Sequence, residues 1–163
     1  MPWHRAEKRG DGDELVICMH GLWRSKWAME PLAKQCLSSG FSCINLPYPS
    51  FRNTLEQMVE RLELLIQKEA VNHSKVHLLT HSLGGVIARR YLDTSAHEKC
   101  SRVLMIAPPL QGSMIVDWLG QSALHRVLGP AGEFLSTAQM AGESSMISQA
   151  VEAAVIMGNR VKI

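Results

Sequence analysis

Ser82 stands in Thr80-His81-Ser82-Leu83-Gly84-Gly85, after the apolar run Val76 to Thr80 and before an amphipathic stretch that begins at Leu83. A serine at a strand-to-helix turn has two properties that chemistry can use. The chain bends sharply at the serine, which holds it in a strained backbone conformation with its hydroxyl pushed outward. Strain of this kind costs about 1–3 kcal/mol and persists only where the surroundings enforce it. The serine also begins a helix, where unpaired N–H groups and the macrodipole favour developing negative charge. The N–H of Leu83 is then a candidate oxyanion donor. Strand and helix pass close together at such a turn, so small residues are needed two before and two after the serine. Gly84 meets that demand, whereas Thr80 is larger than the glycine usual at its place. The short pattern alone recurs by chance as an ordinary helix start. Its strand–turn–helix setting is what makes Ser82 the expected nucleophile of an acyl transfer.

The elements that must position this turn are legible in the hydrophobic pattern. Glu14 to His20 is a short apolar run ending at Gly21, the signature of a buried strand. Met29, Leu32, Ala33, Cys36 and Leu37 recur three and four apart, which predicts a helix from Trp27 to Ser38 stopped by Ser38-Ser39-Gly40. Phe41 to Leu46 reads as a strand ended by Pro47 and Pro49, which lack ladder donors. Asn53, with Glu56 three residues on, is the expected N-cap of a second helix whose stripe is Leu55, Met58, Val59, Leu62, Leu65 and Ile66. Val76 to Thr80 predicts a third strand, Leu83 to Leu92 a third helix, and Arg102 to Ala107 a fourth strand stopped by Pro108-Pro109. Ser113 to Gly120 and Ala123 to Leu128 read as short helices, and Val151 to Met157 as a fifth strand. Strands separated by crossover helices imply a doubly wound, mostly parallel α/β sheet of about five strands, with chemistry at the strand C-terminal ends. Residues 1–13 form a polar tail on this reading, and 14–163 a single domain.

Composition narrows the function classes. Hydrophobic residues make up 46% of the 163 positions and charged residues 20%, an ordinary globular balance. The net charge of +2 comes from scattered Lys and Arg with no basic stripe, so nucleic acid is not an expected partner. No run of 18 apolar residues exists, and Met1 to Glu14 has no apolar segment of the kind a secretory signal needs, so a cytoplasmic location is expected. Cys18, Cys36, Cys43 and Cys100 lack metal-site spacing. Cys36 and Cys43 flank a turn and could form a disulfide, although reduced thiols are the simpler expectation.

Three stretches together resemble the lipase-like α/β-hydrolases of the esterase/lipase superfamily: Val16-Ile-Cys-Met-His-Gly-Leu, Thr80-His-Ser-Leu-Gly-Gly and Ile106-Ala-Pro-Pro-Leu-Gln-Gly-Ser. The likeness runs from about Leu15 to about Leu135 and extends toward Gly158. It implies acyl transfer to Ser82 followed by water attack, with no metal or organic cofactor. It implies the Leu22 N–H as the second oxyanion donor, with Gly21 permitting the bend. It also implies a substrate-lining set of His20, Trp23, His81, Pro109 and Met114. His20 is a structural histidine on this reading, not a base. Trp23 and Trp27 either line an acyl pocket or cover the core. Leu110, Met114, Ile115 and Trp118 cluster near the expected cleft, with helix packing the preferred reading. An aliphatic lining favours esters of apolar acids over peptides.

The resemblance fails at the base and acid. In these hydrolases the order is Ser, then Asp or Glu, then His. After Ser82 the chain has only His97 and His125. His97 is expected at the opposite, N-terminal edge of the sheet. Asp117 and His125 satisfy the order formally, but neither follows a strand in the usual way, and a surface or capping role is favoured. Val155-Ile-Met-Gly-Asn-Arg resembles the strand that precedes the acid loop, so the favoured explanation is a shortened hydrolase. The others are a partner chain that supplies the missing groups, and a non-catalytic binding module. An acyltransferase using the same serine is a further alternative. An exposed last strand would favour a homodimer through the sheet edge.

Overall fold

The described residues form six strands: β1 (Lys8–Arg9), β2 (Glu14–Met19), β3 (Ser42–Leu46), β4 (Lys75–His81), β5 (Cys100–Ile106) and β6 (Glu152–Ile156). Three α-helices alternate with them: α1 (Glu30–Ser38), α2 (Leu55–Ala70) and α3 (Leu83–Ser95). This is a computed structural model that describes residues 6–108 and 151–157. Pro109, Met114, Asp117 and His125 lie outside them, as do the two short helices expected between 113 and 128.

The strand order is β1-β3-β2-β4-β5-β6, with β1 antiparallel and every other pairing parallel. From β2 to β3 the chain steps one way along the sheet. From β3 to β4 and from β4 to β5 it steps the other way. Right-handed crossovers therefore place α1 on one face and α2 and α3 on the other. The buried residues separate accordingly. Leu15, Ile17 and Met19 of β2 pack with Met58 and Leu62 of α2 and Val86 and Ile87 of α3. Val16 and Cys18 of the same strand pack with Met29 and Ala33. A strand buried on both faces needs no alternation, which is why Leu15 to Met19 reads as one unbroken apolar run. Cover thins toward β6: every residue of that strand is exposed.

The sheet has one strand more than the sequence reading expected. Lys8 and Arg9, assigned there to the polar tail, pair with Ile44 and Cys43 of β3. Two residues without apolar character carry no periodic signal, and what fixes them is a side chain. Arg9 donates to both carboxylate oxygens of Glu30, at 2.6 and 3.1 Å. The helix expected over Trp27 to Ser38 also divides. Lys26–Met29 is a 3-10 turn, and the α-helix starts at Glu30 with Pro31 in its first turn, where a missing N–H costs nothing. No disulfide joins Cys36 and Cys43. The near pair is Cys18 and Cys43, whose sulfurs lie 3.7 Å apart as free thiols. Among the described residues no helix is long and apolar enough to cross a membrane.

The N-cap of α2 is Thr54 rather than Asn53. Its hydroxyl accepts the Gln57 N–H at 3.3 Å, while the Gln57 side chain accepts the Thr54 N–H at 3.0 Å, a complete capping box. Thr54→Ala is expected to lower stability by about 1 kcal/mol in urea denaturation, and Asn53→Ala to change it by no more than a few tenths. Equal losses from the two substitutions would contradict the assignment.

Candidate active site

Ser82 ends the turn between β4 and α3 with φ 51° and ψ −118°. A non-glycine residue there is strained, and the surroundings must hold it. Its N–H donates to the Ile106 carbonyl of β5 at 2.9 Å, and its carbonyl accepts the Gly85 N–H at 2.8 Å. Two glycines allow the rest. A Cβ on Gly84 would stand 2.8 Å from the Met19 carbonyl oxygen and 3.1 Å from that of His20, so α3 starts in direct contact with the end of β2. A Cβ on Gly21 would stand 3.1 Å from the Ser82 Cβ and 3.0 Å from His81 Nδ1. The turn after β2 is thus pressed against the turn that carries Ser82.

Thr80 fits where a smaller residue was expected. It is fully buried, its hydroxyl donates to the Leu104 carbonyl at 3.3 Å, and the missing Cβ of Gly85, 3.4 Å away, leaves it room. Ser82 itself is half-buried, with its hydroxyl in no hydrogen bond among the described residues. The N–H groups of Leu22 and Leu83 likewise have no acceptor among the described residues. Leu83 is the first residue of α3, where an unpaired N–H is intrinsic to the helix.

Of the substrate-lining set, His81 is half-buried beside Gly21, and Trp23 is 52% exposed. His20 is buried, at 1% exposure, and borders the cleft beside the site. Its ring stacks on Tyr48 with centroids 4.1 Å apart, and its Nδ1–H donates to the Gly21 carbonyl at 2.8 Å. Burial holds its pKa below the ordinary histidine value, so the ring is neutral and acts as a brace. His97 lies beyond the end of α3, accepting the Lys99 N–H just before β5, at the opposite end of the sheet from Ser82.

Sequence reasoning missed the second brace. Tyr48 donates its hydroxyl to the His20 carbonyl, and burial pushes that phenol up. Ser50 accepts the Trp23 N–H at 3.1 Å. The only available signal was Pro47-Tyr48-Pro49-Ser50, which read as a strand stop and not as a support for the turn after β2.

The model of the alpha/beta hydrolase family matches residues 16–157. The chain belongs to that family. Comparison with curated proteins gives no sequence match. Among solved structures, the mature lipase of Bacillus licheniformis superposes with a TM-score of 0.77 at 19% identity, covering 98% of this chain and 74% of that one. A monoacylglycerol lipase of Paleococcus ferrophilus gives 0.67 at 17% identity, covering 94% and 76%. An esterase from Exiguobacterium antarcticum gives 0.59 at 22% identity, covering 70% of this chain and only 49% of that one.

Three outcomes follow from this geometry. Gly84→Ala places a methyl against main chain and should cost on the order of 1–3 kcal/mol, read by chemical denaturation. Ser82→Gly should be about 1 kcal/mol more stable than Ser82→Ala, because both lose the hydroxyl and only glycine relieves the positive φ. The His20 pKa is lower folded than unfolded, so the unfolded chain binds the extra proton first. Stability should therefore fall as pH drops below the ordinary value of 6.5, by at most about 1.4 kcal/mol per pH unit, and His20→Asn should flatten that slope.

Proposed function

We propose that the chain is a serine carboxylic-ester hydrolase with Ser82 as nucleophile. One observation carries the reading: a serine held at positive φ, with its hydroxyl unengaged among the described residues, against the turn after β2. In the proposed reaction the Ser82 oxygen attacks the ester carbonyl carbon and its proton passes to a base. The tetrahedral oxyanion forms beside the N–H groups of Leu22 and Leu83. The alcohol leaves with a proton, and water then releases the acid from the acyl-enzyme. Lipases and an esterase among the structural neighbours favour esters of apolar acids as the substrate class.

Asp117 and His125 are the acid and base that the chain itself offers in the required order, with Pro109, Met114, Trp23 and His81 as the substrate lining. A non-catalytic binding module is the second reading. β6 forms one edge of the sheet and is exposed throughout, which supports a homodimer through that edge. The free thiols support a reducing, cytoplasmic setting.

An alkyl fluorophosphonate should label the folded chain at one site, located at Ser82 by mass spectrometry, and leave Ser82→Ala unlabelled. Labelling should slow markedly in His125→Ala if that histidine is the base. A folded chain that takes no label would sink the esterase reading in favour of the binding module.

A further inference from the structure

Beside the site, the segments after β2 and β3 enclose a cleft of about 340 Å³ with an unusual lining. Arg24, Lys26 and Arg52 border it together with Trp27 and Phe51, and no carboxylate does. None of the three cations has an ion pair among the described residues. A smaller neighbouring cleft that Lys26 and Trp27 also line holds Glu7 and Glu30, of which Glu30 is held by Arg9. The aromatic rings face water: Trp27 is 60% exposed, Trp23 52% and Phe51 47%. Lys26 lies 5.4 Å from the Trp27 ring centroid, and Arg52 lies 5.4 Å from that of Phe51.

Two features say that this surface is built. Trp23 is held at φ 53°, which is costly for a bulky residue, and its N–H is fixed by Ser50. Asn45 donates to the Lys26 carbonyl at 2.6 Å, pinning the turn that presents Trp27. Strain and exposed tryptophan in one place bring nothing to the core. Aromatic rings with one wet edge, interleaved with Arg and Lys, match the boundary between lipid headgroups and acyl chains.

We propose that this basic–aromatic surface docks the protein on an anionic lipid bilayer, presenting the Ser82 site to esters held there. The substrate part of the idea rests on the esterase reading; the docking part does not. Cationic side chains meet anionic headgroups, and Trp27 and Phe51 enter the interface. Gly21 abuts Ser82 and Trp23 follows it by two residues, so a docked surface lies next to the nucleophile.

The test is co-sedimentation with vesicles of phosphatidylcholine alone and of phosphatidylcholine mixed with phosphatidylglycerol. The chain should bind the mixed vesicles and not the neutral ones, more weakly as salt rises. The triple variant Arg24→Gln, Lys26→Gln, Arg52→Gln should bind on the order of a hundredfold more weakly. Trp27→Ala or Phe51→Ala should each lose roughly tenfold. Both side chains are exposed, and circular dichroism should read each variant as folded. Ser82→Ala should bind as the wild type does, so vesicle binding and fluorophosphonate labelling can fail separately. No binding to mixed vesicles, or binding that the triple variant retains in full, overturns the proposal.

Discussion

The backbone of α3 touches the backbone at the end of β2, and the site depends on that contact. Gly84 lies against the Met19 and His20 carbonyls, and Gly21 lies against Ser82 itself. With either gap filled, the helix would stand off the sheet and the serine would relax. The close approach keeps φ at 51° and leaves Ser82 half-buried at the carboxyl edge of the strands. The strain is local and is balanced by packing spread over two cores, one on each face of the sheet.

The turn after β2 needs its own support, because a turn held only by its glycine would be loose. His20 and Tyr48 supply it as a stacked, buried pair, with the tyrosine hydroxyl on the His20 carbonyl and the imidazole on that of Gly21. Burial lowers the pKa of the imidazole, so the brace favours its uncharged form. The segment after β3 thereby contributes to the site through Tyr48 and Ser50, although neither touches Ser82 in any described hydrogen bond.

What was legible in the sequence followed from periodicity and from residues with one permissible conformation. The runs Leu15 to Met19 and Val76 to Thr80 could only be strands covered on both faces, and Gly84 after Ser82 announced the close helix. What was not legible depended on particular partners. β1 exists because Arg9 reaches Glu30, a contact across 21 positions that no pattern encodes. Asn53 and Thr54 are both good caps, and only the Gln57 side chain decides between them. That His20 stacks on Tyr48 was likewise not readable from either residue alone. Trp27 was expected to open the first helix, yet the α-helix starts at Glu30 and the Trp27 ring stands in water.

The central claim is that an outward Ser82 hydroxyl and unpaired main-chain amides act together on a tetrahedral oxyanion. An alkyl boronic acid tests this directly, because boron becomes tetrahedral only when an activated oxygen adds to it and the resulting anion is stabilised. Boron NMR of the wild-type chain should show a tetrahedral adduct that Ser82→Ala lacks. A trigonal signal alone, with the chain folded and the ligand in excess, would contradict the account.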